Sequence, residues 1–69
     1  MEEFKLKGSE YIELHSLLKV TGVCTSGGMA KNLIADGKVS VNGTVELRKR
    51  CKIRAGQTVT CEGRAIAVT

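Results

Sequence analysis

The chain has 69 residues, 42% hydrophobic and 26% charged, with 11 Lys and Arg against 7 Asp and Glu for a net charge of +4. That length holds one small domain, near the lower limit for a core without cross-links or metal, and excludes a second, catalytic domain beside it. No apolar run approaches the ~20 residues that span a bilayer, and Met1-Glu2-Glu3 is the opposite of a basic secretion signal, so a cytoplasmic protein is expected.

Phe4 and Tyr11 are the only aromatic residues, so aliphatic side chains must build the core. Phe4-Lys5-Leu6-Lys7 alternates as a short strand would, with its apolar face inward, before Gly8-Ser9 interrupts it. From about Glu13 the spacing Leu14, Leu17, Leu18 predicts a first short helix, with Gly22 at its C-cap. A second helix is predicted from Ser26 to about Asp36, with Met29, Ala30, Leu33 and Ile34 as its apolar stripe and Gly37 as its stop. Ser26 is a suitable N-cap, and Lys31 falls between core positions and points outward. Gly27 and Gly28 forgo helix propensity of about 1 kcal/mol each. Two readings explain them: close approach of a ligand phosphate to bare backbone amides, or a tight packing corner.

Val39-Ser40-Val41-Asn42-Gly43-Thr44-Val45 predicts a hairpin, because both central residues of a type I′ turn need positive φ and Asn-Gly tolerates it best. Alternation puts Val39, Val41, Val45 and Leu47 at core-compatible positions. A turn at Ala55-Gly56-Gln57, alternation of Val59 with Cys61, Glu62-Gly63 and the apolar run Ala65-Ile66-Ala67-Val68 predict a second hairpin. The expected architecture is α+β, two short helices packed on a small, mostly antiparallel sheet.

Charge is concentrated. Residues 31–54 carry Lys31, Lys38, Arg48, Lys49, Arg50, Lys52 and Arg54 against Asp36 and Glu46, whereas the flanking segments are close to neutral. A local basic segment on a small domain is the footprint of nucleic-acid binding, or else a solvated face. Cys24, Cys51 and Cys61 lack paired metal-site spacing and read as free, buried thiols in a reducing compartment. His15 has no nucleophile or carboxylate constellation around it and reads as structural, so no enzyme chemistry is expected.

Residues 26–43 resemble the signature of the S-four RNA-binding domain, also called the alpha-L motif, at Ser26, Ala30, Lys31, Leu33, Ile34, Gly37, Val39, Val41, Asn42 and Gly43. The resemblance covers roughly residues 12–61. Ser26-Gly27-Gly28-Met29-Ala30-Lys31 and Arg48-Lys49-Arg50 are similar to small stand-alone bacterial members. It implies binding of structured RNA, ribosomal or transfer RNA, through the two helices and the adjoining loop. It implies RNA-facing roles for Ser26, Lys31, Lys38 and Asn42. Gly27 stands where the family usually has an arginine, so the bare amides of Gly27 and Gly28 are expected to take part of the anion contact.

Arg48, Lys49, Arg50 and Lys52 are expected to flank the start of the second helix and neutralise phosphates. Tyr11 reads as a rim or core residue rather than a base platform, and the scarcity of aromatics favours recognition of shape and phosphate. The sequence therefore predicts a monomer that binds structured RNA, including ribosomal particles, without cofactor, metal, small-molecule substrate or membrane. The rival readings are a protein-interaction adaptor with an acidic partner and a thiol-based redox or metal sensor.

Overall fold

The two glycine turns read from the sequence organise the sheet. In the computed structural model, which describes residues 1–69, Asn42 and Gly43 both have positive φ (50° and 84°) and join β3 (Val39–Val41) to β4 (Thr44–Val45). Glu62 and Gly63 (52° and 78°) join β6 (Thr58–Cys61) to β7 (Arg64–Val68) in the same way. Strand β3 also pairs antiparallel with β6, matching Val39 to Cys61 and Val41 to Val59.

The sheet is completed by β1 (Glu2–Phe4), which runs parallel to β7, so the order is β1-β7-β6-β3-β4. The first strand thus ends at Phe4 rather than running through Lys7. Lys7 and Gly8 both take positive φ (53° and 92°), and Ser9 N–H donates to the Leu6 carbonyl, closing a turn where the alternating pattern predicted strand. A second, two-stranded sheet pairs β2 (Ile12–Glu13) with β5 (Lys52–Ile53).

The helices are α1 (Leu14–Val20) and α2 (Gly27–Ala35). Helix α2 ends in a paired closure: Gly37, at φ 76°, donates to the Ile34 carbonyl and Lys38 to the Leu33 carbonyl, which satisfies two otherwise unpaired acceptors.

The core is the space between the helices and one face of the sheet. Leu14, Leu17, Leu18, Ala30 and Ile34 from the helices meet Val39, Ile53, Val59, Cys61, Ile66 and Val68, with Cys24 filling the bend between helices. Strand period 2 explains the choice: Val59 and Cys61 are buried while Thr60 between them is exposed. Three apolar residues expected inside lie outside. Met29, in the first turn of α2, is 42% exposed. Val45, on the two-residue edge strand β4, is 54% exposed, and Leu47, beyond that strand, is 60% exposed.

Candidate functional site

The basic run is docked by its backbone and displayed by its side chains. Pairing of Glu13 with Lys52 brings the run to the start of α1, where the Cys51 carbonyl accepts from Leu14 N–H (2.9 Å) and the Lys49 carbonyl from His15 N–H (3.1 Å). Two of the free amides of α1 are satisfied in this way. With their carbonyls turned into the fold, Arg48, Lys49, Arg50 and Lys52 remain exposed. Arg48, Arg50, Cys51 and Lys52 line an open recess of ≈ 370 Å³.

Placement at α1 corrects the expectation that this run flanks the start of α2. The second helix begins after the C-terminal end of α1, across a bend in which Cys24 N–H donates to the Leu18 carbonyl. The basic run is seated at the first residues of α1, whereas α2 starts only after α1 has ended at Val20 and the bend has been crossed. The β2–β5 pairing decides this. Two residues on each side are too few to register as strands in the sequence pattern.

Arg48 is not a free cation. Its main-chain N–H and Nε both donate to Glu46 Oε2 at 3.0 Å, and Nη2 donates to Glu46 Oε1 at 3.1 Å. The Arg48 side-chain and backbone hydrogen bonds hold the Glu46 carboxyl down at about 2, from an ordinary 4.5, against an opposing push from burial. Lys31, Lys38, Lys49, Arg50 and Lys52 have no carboxylate partner.

At the start of α2, Ser26 caps the helix by accepting from Met29 N–H at 3.2 Å. The N–H groups of Gly27 and Gly28 meet no acceptor in the protein. The packing-corner explanation of these glycines fails, because a Cβ on Gly27 would touch nothing within 4 Å and one on Gly28 would meet only Ser26 Oγ at 4.0 Å. Neither has positive φ. Lys31, one turn on, is exposed.

Lys38 is exposed at the other end of α2, beside Val39, whose carbonyl accepts from Glu46 N–H (3.0 Å). Asn42 is committed to the fold: its Oδ1 accepts from Thr58 N–H at 2.9 Å and its own N–H donates to the Thr58 carbonyl at 2.8 Å. Those bonds tie the hairpin tip to β6 and leave the Asn42 Nδ2 group for a ligand.

The sequence reading placed Tyr11 outside the basic segment, yet it lies against it. Lys52 Nζ is 5.0 Å and the Arg54 guanidinium carbon 5.6 Å from the ring centroid. The signal was present in Tyr11-Ile12 and Ile53-Arg54, short apolar-polar steps at a distance of some forty positions, and only strand pairing relates them.

The remaining titratable groups serve the fold. Cys24 and Cys61 are buried free thiols, and burial, more than neighbouring charge, pushes both above the ordinary thiol value. Burial also raises Cys51, with Glu46 adding to it and Arg48 opposing it. Such thiols are poor nucleophiles. His15 Nε2 lies 3.0 Å from Glu13 Oε1 beside the loop it helps to seat.

Comparison with known proteins bears on the family and the fold. Residues 4–69 match the S4 domain, a span wider than the resemblance read from the motif. The chain is 50% identical over 68 residues to the putative RNA-binding protein YbcJ of Escherichia coli K12, covering 99% of this chain and 97% of that one. It is 38% identical over 55 residues to the probable ribosome maturation protein RlbA of Bacillus subtilis, covering 80% and 78% respectively. Among solved structures, the solution structure of YbcJ from E. coli, which reveals an alpha-L motif involved in RNA binding, superposes with a TM-score of 0.78. The identity is 49%, and the match covers 100% of this chain and 87% of that one.

Proposed function

This chain belongs to the S4 domain family and has its alpha-L fold, and from that premise we propose that it is a non-catalytic protein that binds structured RNA, ribosomal RNA or a precursor on the ribosomal particle, in the cytoplasm and as a monomer. The observation that carries the reading is the seating of the basic run. Its carbonyls are spent on α1, so the cationic side chains face outward around one recess with their backbone already ordered. Ordering a loop costs affinity when binding has to do it, and here folding has done it.

Two positive features, one at the start of each helix, fit a folded RNA that presents phosphates from more than one strand. The run 48–52 forms one contact, and Lys38 adds a cation past the C-terminal end of α2. The second is the start of α2, where the Gly27 and Gly28 amides, the helix dipole and Lys31 meet an anion in place of the arginine that the family usually carries. Ser26 holds that end open by capping a later amide, and Asn42 Nδ2 offers a donor at the hairpin tip. The relatives named for RNA binding and for ribosome maturation support the same assignment.

The test is a binding titration at physiological salt with a folded ribosomal RNA fragment and with heparin as a generic polyanion. Preference for the folded RNA is expected. Equal binding of the two, or a preference for heparin, would favour an adaptor that uses its basic face on an acidic partner.

A further inference from the structure

Resting on the RNA-binding reading, we infer that Tyr11, with Lys52 and Arg54, forms a stacking subsite for one unpaired nucleobase next to the phosphate contact. The protein has two aromatic residues, Phe4 and Tyr11. Phe4 packs against the core, which leaves Tyr11, 37% exposed, as the aromatic surface available to a ligand. Its position is set by the β2–β5 ladder. Ile12 pairs with Ile53, so the preceding Tyr11 stands opposite Arg54, and the neighbouring pair places Lys52 beside the ring as well. The Tyr11 hydroxyl makes no hydrogen bond within the protein, and the two cations lie over its ring.

Lys52 belongs to both features. It lines the recess with Arg48, Arg50 and Cys51, and its ammonium lies 5.0 Å from the Tyr11 centroid. A nucleotide whose phosphate meets Arg50 and Lys52 therefore has its base within reach of the ring. The exchange is favourable in magnitude. The two exposed cation–π contacts are together worth about four- to 25-fold in an equilibrium constant, at about two- to fivefold each. A base stacked on an aromatic side chain is worth about five- to 150-fold. A stack in the upper part of that range displaces both contacts at a net gain, and the freed ammonium and guanidinium turn to the phosphates of the seated base. Arg54 can also stay as a second plane against the base, as guanidinium groups do.

This adds a selectivity that phosphate contacts lack. A fully paired helix keeps its bases stacked on one another, whereas a bulge or loop offers one to the ring. The preferred ligand is thus an RNA helix interrupted by an unpaired nucleotide.

Tyr11 is the sole tyrosine and there is no tryptophan, so protein fluorescence reports on this ring alone. The experiment titrates the full chain with a short RNA hairpin bearing one bulged purine and with its fully paired counterpart, at low salt. Quenching of tyrosine emission by the bulged hairpin and not by the paired one is expected, with at least fivefold tighter binding of the bulged RNA. Tyr11→Leu is expected to remove that preference and Tyr11→Phe to retain it. Equal affinities with unquenched emission, or a preference that survives Tyr11→Leu, overturn the stacking subsite while leaving RNA binding intact. Failure of the wild type to bind either hairpin overturns both.

Discussion

The salt dependence of binding follows from a count of unpaired cations. Lys31, Lys38, Lys49, Arg50 and Lys52 are exposed and free of carboxylates, whereas Arg48 is held by Glu46. If these five cations meet phosphates of a helical RNA, with Arg54 left on the Tyr11 ring, the log-log slope of affinity against salt is about −4.5 at about −0.9 per contact, a fall of ~500-fold between 50 and 200 mM. Lys49→Ala with Arg50→Ala leaves three contacts, a slope of about −2.7 and a fall of ~40-fold. The double variant is a clean perturbation, since neither side chain makes a hydrogen bond or ion pair in the protein and only the Lys49 carbonyl serves the fold. Its stability is expected to stay within ~0.5 kcal/mol of the wild type. Fluorescence anisotropy of a labelled ribosomal RNA hairpin across that salt range measures both slopes. A wild-type slope shallower than about −2, or a variant slope equal to the wild type's, would refute the assignment of the basic run as the phosphate contact.

Replacing Gly27 and Gly28 by alanine is expected to raise the melting temperature, because the added methyl groups meet open space and alanine gains up to ~1 kcal/mol per helical site. The same double variant is expected to bind RNA more weakly, and unchanged affinity would remove the α2 start from the interface. Glu46 makes a pH-dependent contribution. Its carboxyl lies at about 2 in the folded protein against an ordinary 4.5, so its stabilisation is complete above pH 4.5 and is lost as pH falls toward 2. In thermal melts the gap between wild type and Glu46→Gln is constant above pH 4.5 and closes toward pH 2; a gap that persists at pH 2 contradicts the Arg48 pairing. Ile34→Ala empties a fully buried site and is expected to cost ~2–5 kcal/mol. A domain of this size has only ~3–10 kcal/mol in total, so chemical denaturation is expected to show a large loss of folding free energy, reaching complete unfolding at the low end of that range.

Much of the fold was legible because local chemistry dictated it. Asn42-Gly43 and Glu62-Gly63 place a glycine at the second turn position, and both hairpins form there. Leu14, Leu17 and Leu18 recur at helical spacing and are buried. Ser26 and Gly37 bound α2 through the hydrogen bonds their types favour. Where the reading failed, the deciding partner was remote. The alternation of Phe4-Lys5-Leu6-Lys7 holds equally for a strand and for the strand-plus-turn that forms, and β7, more than sixty residues on, selects the register. Val45 and Leu47 alternate as core residues do, but the strand ends at Val45 on the edge of the sheet and both side chains stay exposed.

The candidate site divides along the same line. Residue type and spacing along the chain by themselves determined the capped, glycine-opened start of α2, the excess of cations between residues 31 and 54, and the S4 family itself, because each is written in contiguous residues. Only the tertiary structure decided that the basic run caps α1 rather than α2, that Glu46 occupies Arg48, that Asn42 spends its oxygen on Thr58, and that Tyr11 faces Lys52 and Arg54. The reason is physical. A cap or a turn closes over three or four residues, whereas the two-residue β2–β5 ladder is too short to leave a periodic trace and exists because helix and loop amides forty residues apart have no nearer partners.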